Sequence, residues 1–269
     1  MTIKEKLRVA FVIIVVAGII CGCGTIFGAY GIYGDAFFAP QIFREYKQMI
    51  YNNMSVETQE NQIVFFGDSL TEMYDTQAYF PKYVSYNRGI SGDITSHMLE
   101  RLQGNVLDVR PHVLVFVGGT NDLNRDDITV EETADHIDQI LKQTRAALPN
   151  CRIIVQNIYP VNNTHKMYGI VNTADNRKNE KIERLNDLIE PIILKNGCDL
   201  VDMHSLFVNE KGELDPKYSL DGLHINETAY ELLTEQLTPL IDKYMTDDDI
   251  PSKVGARPRA LQETAFCRA

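Results

Sequence analysis

The chain has no excess of basic residues: 26 Lys and Arg stand against 37 Asp and Glu, for a net charge of −11. Without a basic stripe to neutralise phosphates, a general nucleic-acid binder is excluded, and no nucleic-acid partner is expected. Its five cysteines show no metal-type spacing, and an odd count does not build a disulfide framework. Cys151 and Cys198 sit near expected strand starts and are read as buried thiols; a bridge between them would need adjacent strands and an oxidising compartment. No internal repeat or low-complexity segment is visible before the C-terminal tail. The most informative absence is local. After Lys4, Lys6 and Arg8, no charged residue occurs from Val9 through Gly34.

That uncharged run is long enough to cross a bilayer, which takes about 20 apolar residues. Basic residues before it and Asp35 after it orient the N-terminus inside and the remainder outside. Residues 1–34 are therefore expected to be a membrane anchor, with the main domain outside the cytoplasm on a single-pass transmembrane helix. A cleaved signal peptide is the second reading. A lipidated cysteine in Ile20-Cys21-Gly22-Cys23 is the third. Residues 35–61 follow as an amphipathic helix, with Ile42, Phe43, Tyr46, Met49 and Ile50 at helical spacing, and a polar linker. The helix either docks on the domain or lies on the membrane surface.

From Gln62 the pattern alternates strand and helix, in a composition of 44% hydrophobic and 23% charged residues that suits a globular domain. Apolar or β-prone runs at Gln62–Phe66, Tyr83–Asn87, Val113–Val117, Arg152–Gln156 and Leu200–Asp202 are five strand candidates. Helices are expected over Ser91–Leu102, from the N-cap Thr129 to Pro149, over Asp175–Lys195 and over Asn226–Tyr244. Pro191 is a candidate kink in the third of these. Continuous apolar strands alternating with helices indicate a parallel sheet covered on both faces, hence a three-layer α/β/α sandwich over residues 62–245. Residues 246–269 lack any apolar period and are expected to be disordered.

The first strand runs into Gly67-Asp68-Ser69, small and turn-forming types that present a serine at the carboxyl edge of the sheet. A serine nucleophile needs a base, a group that orients the base, and donors for an oxyanion. Three further stretches supply such groups. Asn87-Arg88-Gly89-Ile90-Ser91-Gly92-Asp93-Ile94-Thr95 is a glycine-bearing stretch entering a helix, whose backbone N–H groups can face an anion. Gly118-Gly119-Thr120-Asn121-Asp122 places a carboxamide at the tip of the strongest strand. Asp221-Gly222-Leu223-His224 sets a carboxylate and an imidazole three residues apart in one loop. Of the six histidines, His204 with Asp202 is the one serious rival base, and His224 is favoured over it. Tyr159, Met167 and Tyr168 are candidates for a pocket wall, or for a packed surface loop.

These four stretches, in this order, resemble the blocks of the SGNH hydrolase family, also called the GDSL-type esterases and lipases. The resemblance covers Gln62 to about Tyr244. It implies a flavodoxin-like five-stranded parallel sheet of order 2-1-3-4-5. It also implies Ser69 as nucleophile, His224 as base, Asp221 as the orienting acid, and an oxyanion hole made by the Ser69 N–H, the Gly92 N–H and the Asn121 side chain. No metal or organic cofactor is implied. The expected partner is a small-molecule, glycan or lipid ester, with acetyl or short acyl groups preferred. A membrane-associated lysophospholipase or lipase is the alternative enzyme, and a non-catalytic glycan-binding surface protein the alternative from another class. Oligomeric state is not legible.

Overall fold

The computed structural model describes residues 40–53, 62–166 and 173–246. The anchor expected over residues 1–34, the linker before Gln62 and the tail after Thr246 lie outside them, as do Met167 and Tyr168. Among the described residues no helix is long and apolar enough to cross a membrane.

The chain divides into two units between Ile50 and Tyr51. The helix α1 (Pro40–Asn53) straddles that division. In the first unit its Phe43, Tyr46 and Met49 side chains are exposed. In the second, Tyr51 is buried and donates its hydroxyl proton to the Gly89 carbonyl at 2.7 Å.

Five parallel strands form the sheet: β1 (Gln62–Gly67), β2 (Val84–Gly89), β3 (Val113–Phe116), β4 (Arg152–Gln156) and β5 (Asp199–Val201). Their order is β2-β1-β3-β4-β5, as the family resemblance implies. The register sets Gly67 beside Gly89 and Phe66 beside Phe116, so the tips of β1, β2 and β3 share one edge. Period-two alternation splits each strand between two cores. Val64, Phe66, Leu114, Phe116, Ile153 and Val155 face one side, packed by α4 (Thr95–Leu102), α5 (Val130–Ala147) and α6 (Asn179–Lys195). Ile63, Phe65, Val113, Val115 and Ile154 face the other. There they meet the short helices α2 (Ser69–Glu72), α3 (Thr76–Tyr79) and α7 (His204–Phe207), and the long α8 (Glu227–Thr246). Each fully buried side chain of this kind contributes about 1.5–3 kcal/mol. Three layers result.

The helix ends follow local chemistry where it exists. Thr129 and Glu132 form a capping box at the start of α5. At the end of α6 the Cys198 and Gly197 N–H groups close back on Ile193 and Leu194, with Gly197 at φ +65°. Pro191 lies inside α6 on its exposed side without ending it. Two helices start later than the pattern predicts, for tertiary reasons. The helix expected from Ser91 begins at Thr95, because the Asp122 carboxylate, from a distant loop, accepts the Thr95 N–H at 3.0 and 3.1 Å. The helix expected from Asp175 begins at Asn179: Asp175 sits at φ +50°, with its carbonyl accepting from the Asn163 side chain at 3.0 Å. Cys151 and Cys198 are buried free thiols.

Candidate active site

Ser69 is the first residue of α2, two positions past the tip of β1. Asp68 caps that helix, its carboxylate accepting the Leu70 N–H at 3.0 Å. Burial pushes the Asp68 carboxyl up to about 6, against the pull of Leu70, His224 and Arg177. The turn is tight because α2 lies on the end of β2: a Cβ on Gly89 would stand 2.1 Å from the Glu72 nitrogen.

The loop before α8 brings His224 to this serine. Its Nε2 is 3.1 Å from Ser69 Oγ, and its Nδ1 is 2.7 Å from Asp221 Oδ2. The other Asp221 oxygen accepts the N–H groups of Leu223 and His224 at 3.0 and 2.8 Å. Burial would raise the Asp221 carboxyl, but the hydrogen bonds from His224 and Leu223 outweigh it and hold it well below the usual carboxylate range. An ionised carboxylate only accepts, so the imidazole proton sits on Nδ1 and Nε2 keeps a lone pair for the Ser69 hydroxyl. The loop is pinned by Ser219, which donates to the His224 carbonyl at 2.7 Å, and by Asn162, whose N–H reaches the Gly222 carbonyl at 2.8 Å.

Gly92 and Asn121 belong to neighbouring loops that are tied through Asp93. Gly92 takes φ +78°, a conformation that favours glycine. Asn121 donates from Nδ2 to the Asp93 carbonyl at 2.9 Å. Its Oδ1 accepts from Arg177 at 2.7 Å. Asp122 ties the same two loops through Thr95, and burial pushes its carboxyl up to about 6.

Sequence reasoning gave no role to Arg101, Asp122 or Arg177. Arg101 is fully buried: it donates to Asp93 at 2.6 Å, to the Gly67 carbonyl at 2.8 Å and to the Arg88 carbonyl at 2.8 Å, joining the glycine loop to the tips of β1 and β2. A basic residue among Met98, Leu102 and Val106 on the apolar side of a helix was its visible signal. Arg177 and Lys178 stand just before a helix start, where the dipole disfavours cations.

The other histidines are engaged elsewhere. His136 bonds Thr95, His112 the Tyr244 carbonyl and His165 the Ser219 carbonyl, while His97 lies 3.6 Å from Asp93. His204 and Asp202 line a separate cleft of about 180 Å³ with Glu183, Asp187 and Glu190. Asp202 there bonds Asn157 and Ser205. Tyr159 is buried edge-on against Phe207 at 5.1 Å and donates to Gln156.

A parallel α/β sandwich with serine, imidazole and ionised carboxylate in series at its carboxyl edge has the architecture of an ester hydrolase. The chain belongs to the GDSL-like Lipase/Acylhydrolase family, whose profile matches residues 65–232. It is 27% identical over 195 residues to the platelet-activating factor acetylhydrolase IB subunit alpha1 of Bos taurus, covering 70% of this chain and 78% of that one. The alpha2 subunit of Homo sapiens is also 27% identical, over 70% of this chain and 79% of its own length. Among solved structures, a Streptococcus pneumonia protein provisionally described as a platelet activating factor superposes with a TM-score of 0.67. It is 27% identical and covers 75% of this chain and 94% of its own. A GDSL-like lipase from Bacteroides thetaiotaomicron shares the fold, with a TM-score of 0.62, 24% identity, and 75% and 98% coverage. The four-motif resemblance thus holds, and the protein is a hydrolase of the esterase and lipase type. The reading as a non-catalytic surface protein is set aside.

Proposed function

We propose that the protein is a serine esterase that cleaves carboxylic esters of acetyl or other short acyl groups through a Ser69–His224–Asp221 triad. One observation carries the reading: Ser69 Oγ, His224 Nε2, His224 Nδ1 and Asp221 Oδ2 stand in series at 3.1 and 2.7 Å. Ser69 gives its proton to Nε2 as Oγ attacks the ester carbonyl, and the carbonyl pair moves onto oxygen. The Ser69 N–H, the Gly92 N–H and the Asn121 Nδ2–H receive that oxyanion. Collapse expels the alkoxide, which takes the proton from Nε2. Water then attacks the acyl-enzyme with Nε2 as its base, releasing the acid and restoring Ser69.

The acyl preference is supported by the relatives that carry the name acetylhydrolase. A second reading, a lipase or lysophospholipase, is favoured by Leu220 beside Asp221 and Met73 at the end of α2, both exposed. Hydrolysis of p-nitrophenyl esters of rising chain length separates the two. Turnover that falls beyond short chains supports the first reading, and turnover that climbs with length supports the second. The domain works outside the cytoplasm in either case, tethered through residues 1–34. Protease treatment of intact cells should degrade it, and full protection would overturn that placement.

A further inference from the structure

The geometry points to Arg177 as the positioning residue of the oxyanion site: its guanidinium orients and polarises the Asn121 carboxamide. This inference rests on the reading of Asn121 as an oxyanion donor. Arg177 is 5% exposed, and a cation so deeply buried is costly unless its donors are placed. Its ion-pair partner, Asp175, is 3.7 Å away and largely exposed. Its hydrogen bonds go to the carbonyls of Thr120, Thr173 and Ala174 and to the Asn121 side chain. Nε holds the Thr120 carbonyl at 2.9 Å while a terminal nitrogen holds Asn121 Oδ1 at 2.7 Å. The rigid fork therefore grips the backbone and the side chain of adjacent residues at once.

The consequence for Asn121 follows from donor and acceptor counting. A guanidinium has no acceptor, so the amide must turn its oxygen to Arg177. The Asp93 carbonyl has no donor, so the amide must turn its nitrogen there. The two contacts together admit one amide orientation. One Nδ2–H is used on Asp93, and the second is left for the substrate oxyanion. Charge-assisted donation to Oδ1 also draws density from the amide and strengthens Nδ2–H as a donor. A lysine at this position keeps a charge but lacks the fork. Loss of Arg177 leaves the amide free to rotate away and removes its polarisation, which acts where negative charge develops.

Kinetics of p-nitrophenyl acetate hydrolysis by Arg177→Ala, Arg177→Lys, Asn121→Ala and the double variants test this. Arg177→Ala should lower kcat about 10-fold or more, short of the ~10²–10³ of a lost oxyanion donor, and leave KM within about 3-fold. In the Asn121→Ala background the same substitution should cost less than about 2-fold, because the group it acts through is gone. Arg177→Lys should stay impaired while folded, and its own cycle with Asn121→Ala gives the same readout where the alanine variant does not fold. Effects that multiply independently of Asn121, or a lysine variant with unaltered kcat, overturn the role of Arg177 alone. An Asn121→Ala enzyme with undiminished kcat overturns the oxyanion reading and this inference with it.

Discussion

His224 Nε2 stands 3.1 Å from Ser69 Oγ although 155 residues separate the two in the chain. The serine is fixed by the turn after β1 and the imidazole by the loop before the last helix. Ser69→Ala removes an oxygen at a 6% exposed site and touches no core contact. Turnover of p-nitrophenyl acetate should fall by at least about 10³-fold with the melting temperature nearly unchanged. A fluorophosphonate probe should label the parent protein and not the variant. Retained turnover or retained labelling would remove Ser69 as nucleophile.

Much of this arrangement is legible in the chain because its determinants are local. Continuous apolar runs mark β1, β3 and β4, Arg152–Gln156 falls on the strand the pattern predicts, and Thr129 with Glu132 marks the start of α5. What escapes is set by distant partners. No pattern near Ser91 reveals that Asp122 caps Thr95 from 27 positions away. Likewise Arg177 reads as a surface charge until the fold carries Asn121 to it across 56 positions. The short helices α2, α3 and α7 have four residues each, too few to show a period.

Gly89, at the end of β2, and Gly92, in the loop after it, should behave differently. A Cβ at Gly89 would meet the nitrogen and Cα of Glu72 at 2.1 and 2.6 Å, backbone that cannot yield without moving α2 and Ser69. At Gly92 a Cβ meets nothing within 4 Å, and only the φ of +78° resists it. Gly92→Ala should therefore fold with a loss of about 1–2 kcal/mol. Gly89→Ala should lose more than about 3 kcal/mol or fail to fold. Urea unfolding of both variants checks the order, and equal losses would contradict it.

Asp221 holds the imidazole tautomer as well as its position. In Asp221→Asn the shape is kept, but an amide N–H₂ turned to Nδ1 forces the ring proton onto Nε2, leaving no lone pair for Ser69. Turnover should drop by up to about 10⁴-fold, with the fold retained. An asparagine variant within a few-fold of the parent would show that the carboxylate does not set the tautomer.

Asp68 makes folding stability depend on pH in a direction opposite to Asp221. Its carboxyl is raised by burial from 3.8 to about 6, so between those values the folded chain binds the proton more tightly than the unfolded chain does. The stability it contributes is complete below about 3.8 and is lost as pH rises through about 6. Asp68→Asn removes the titration yet keeps an acceptor for the Leu70 N–H, since asparagine caps helices as well as aspartate. Asp122, also pushed up to about 6, is common to both proteins and drops out of their difference. Relative to the variant, the parent should gain on the order of 3 kcal/mol between pH 7 and pH 4, a shift of several degrees in melting temperature. Melting curves of the pair at half-unit pH steps measure it. A difference that stays constant across that range would mean that the buried Asp68 carboxyl is already protonated, or still charged, throughout.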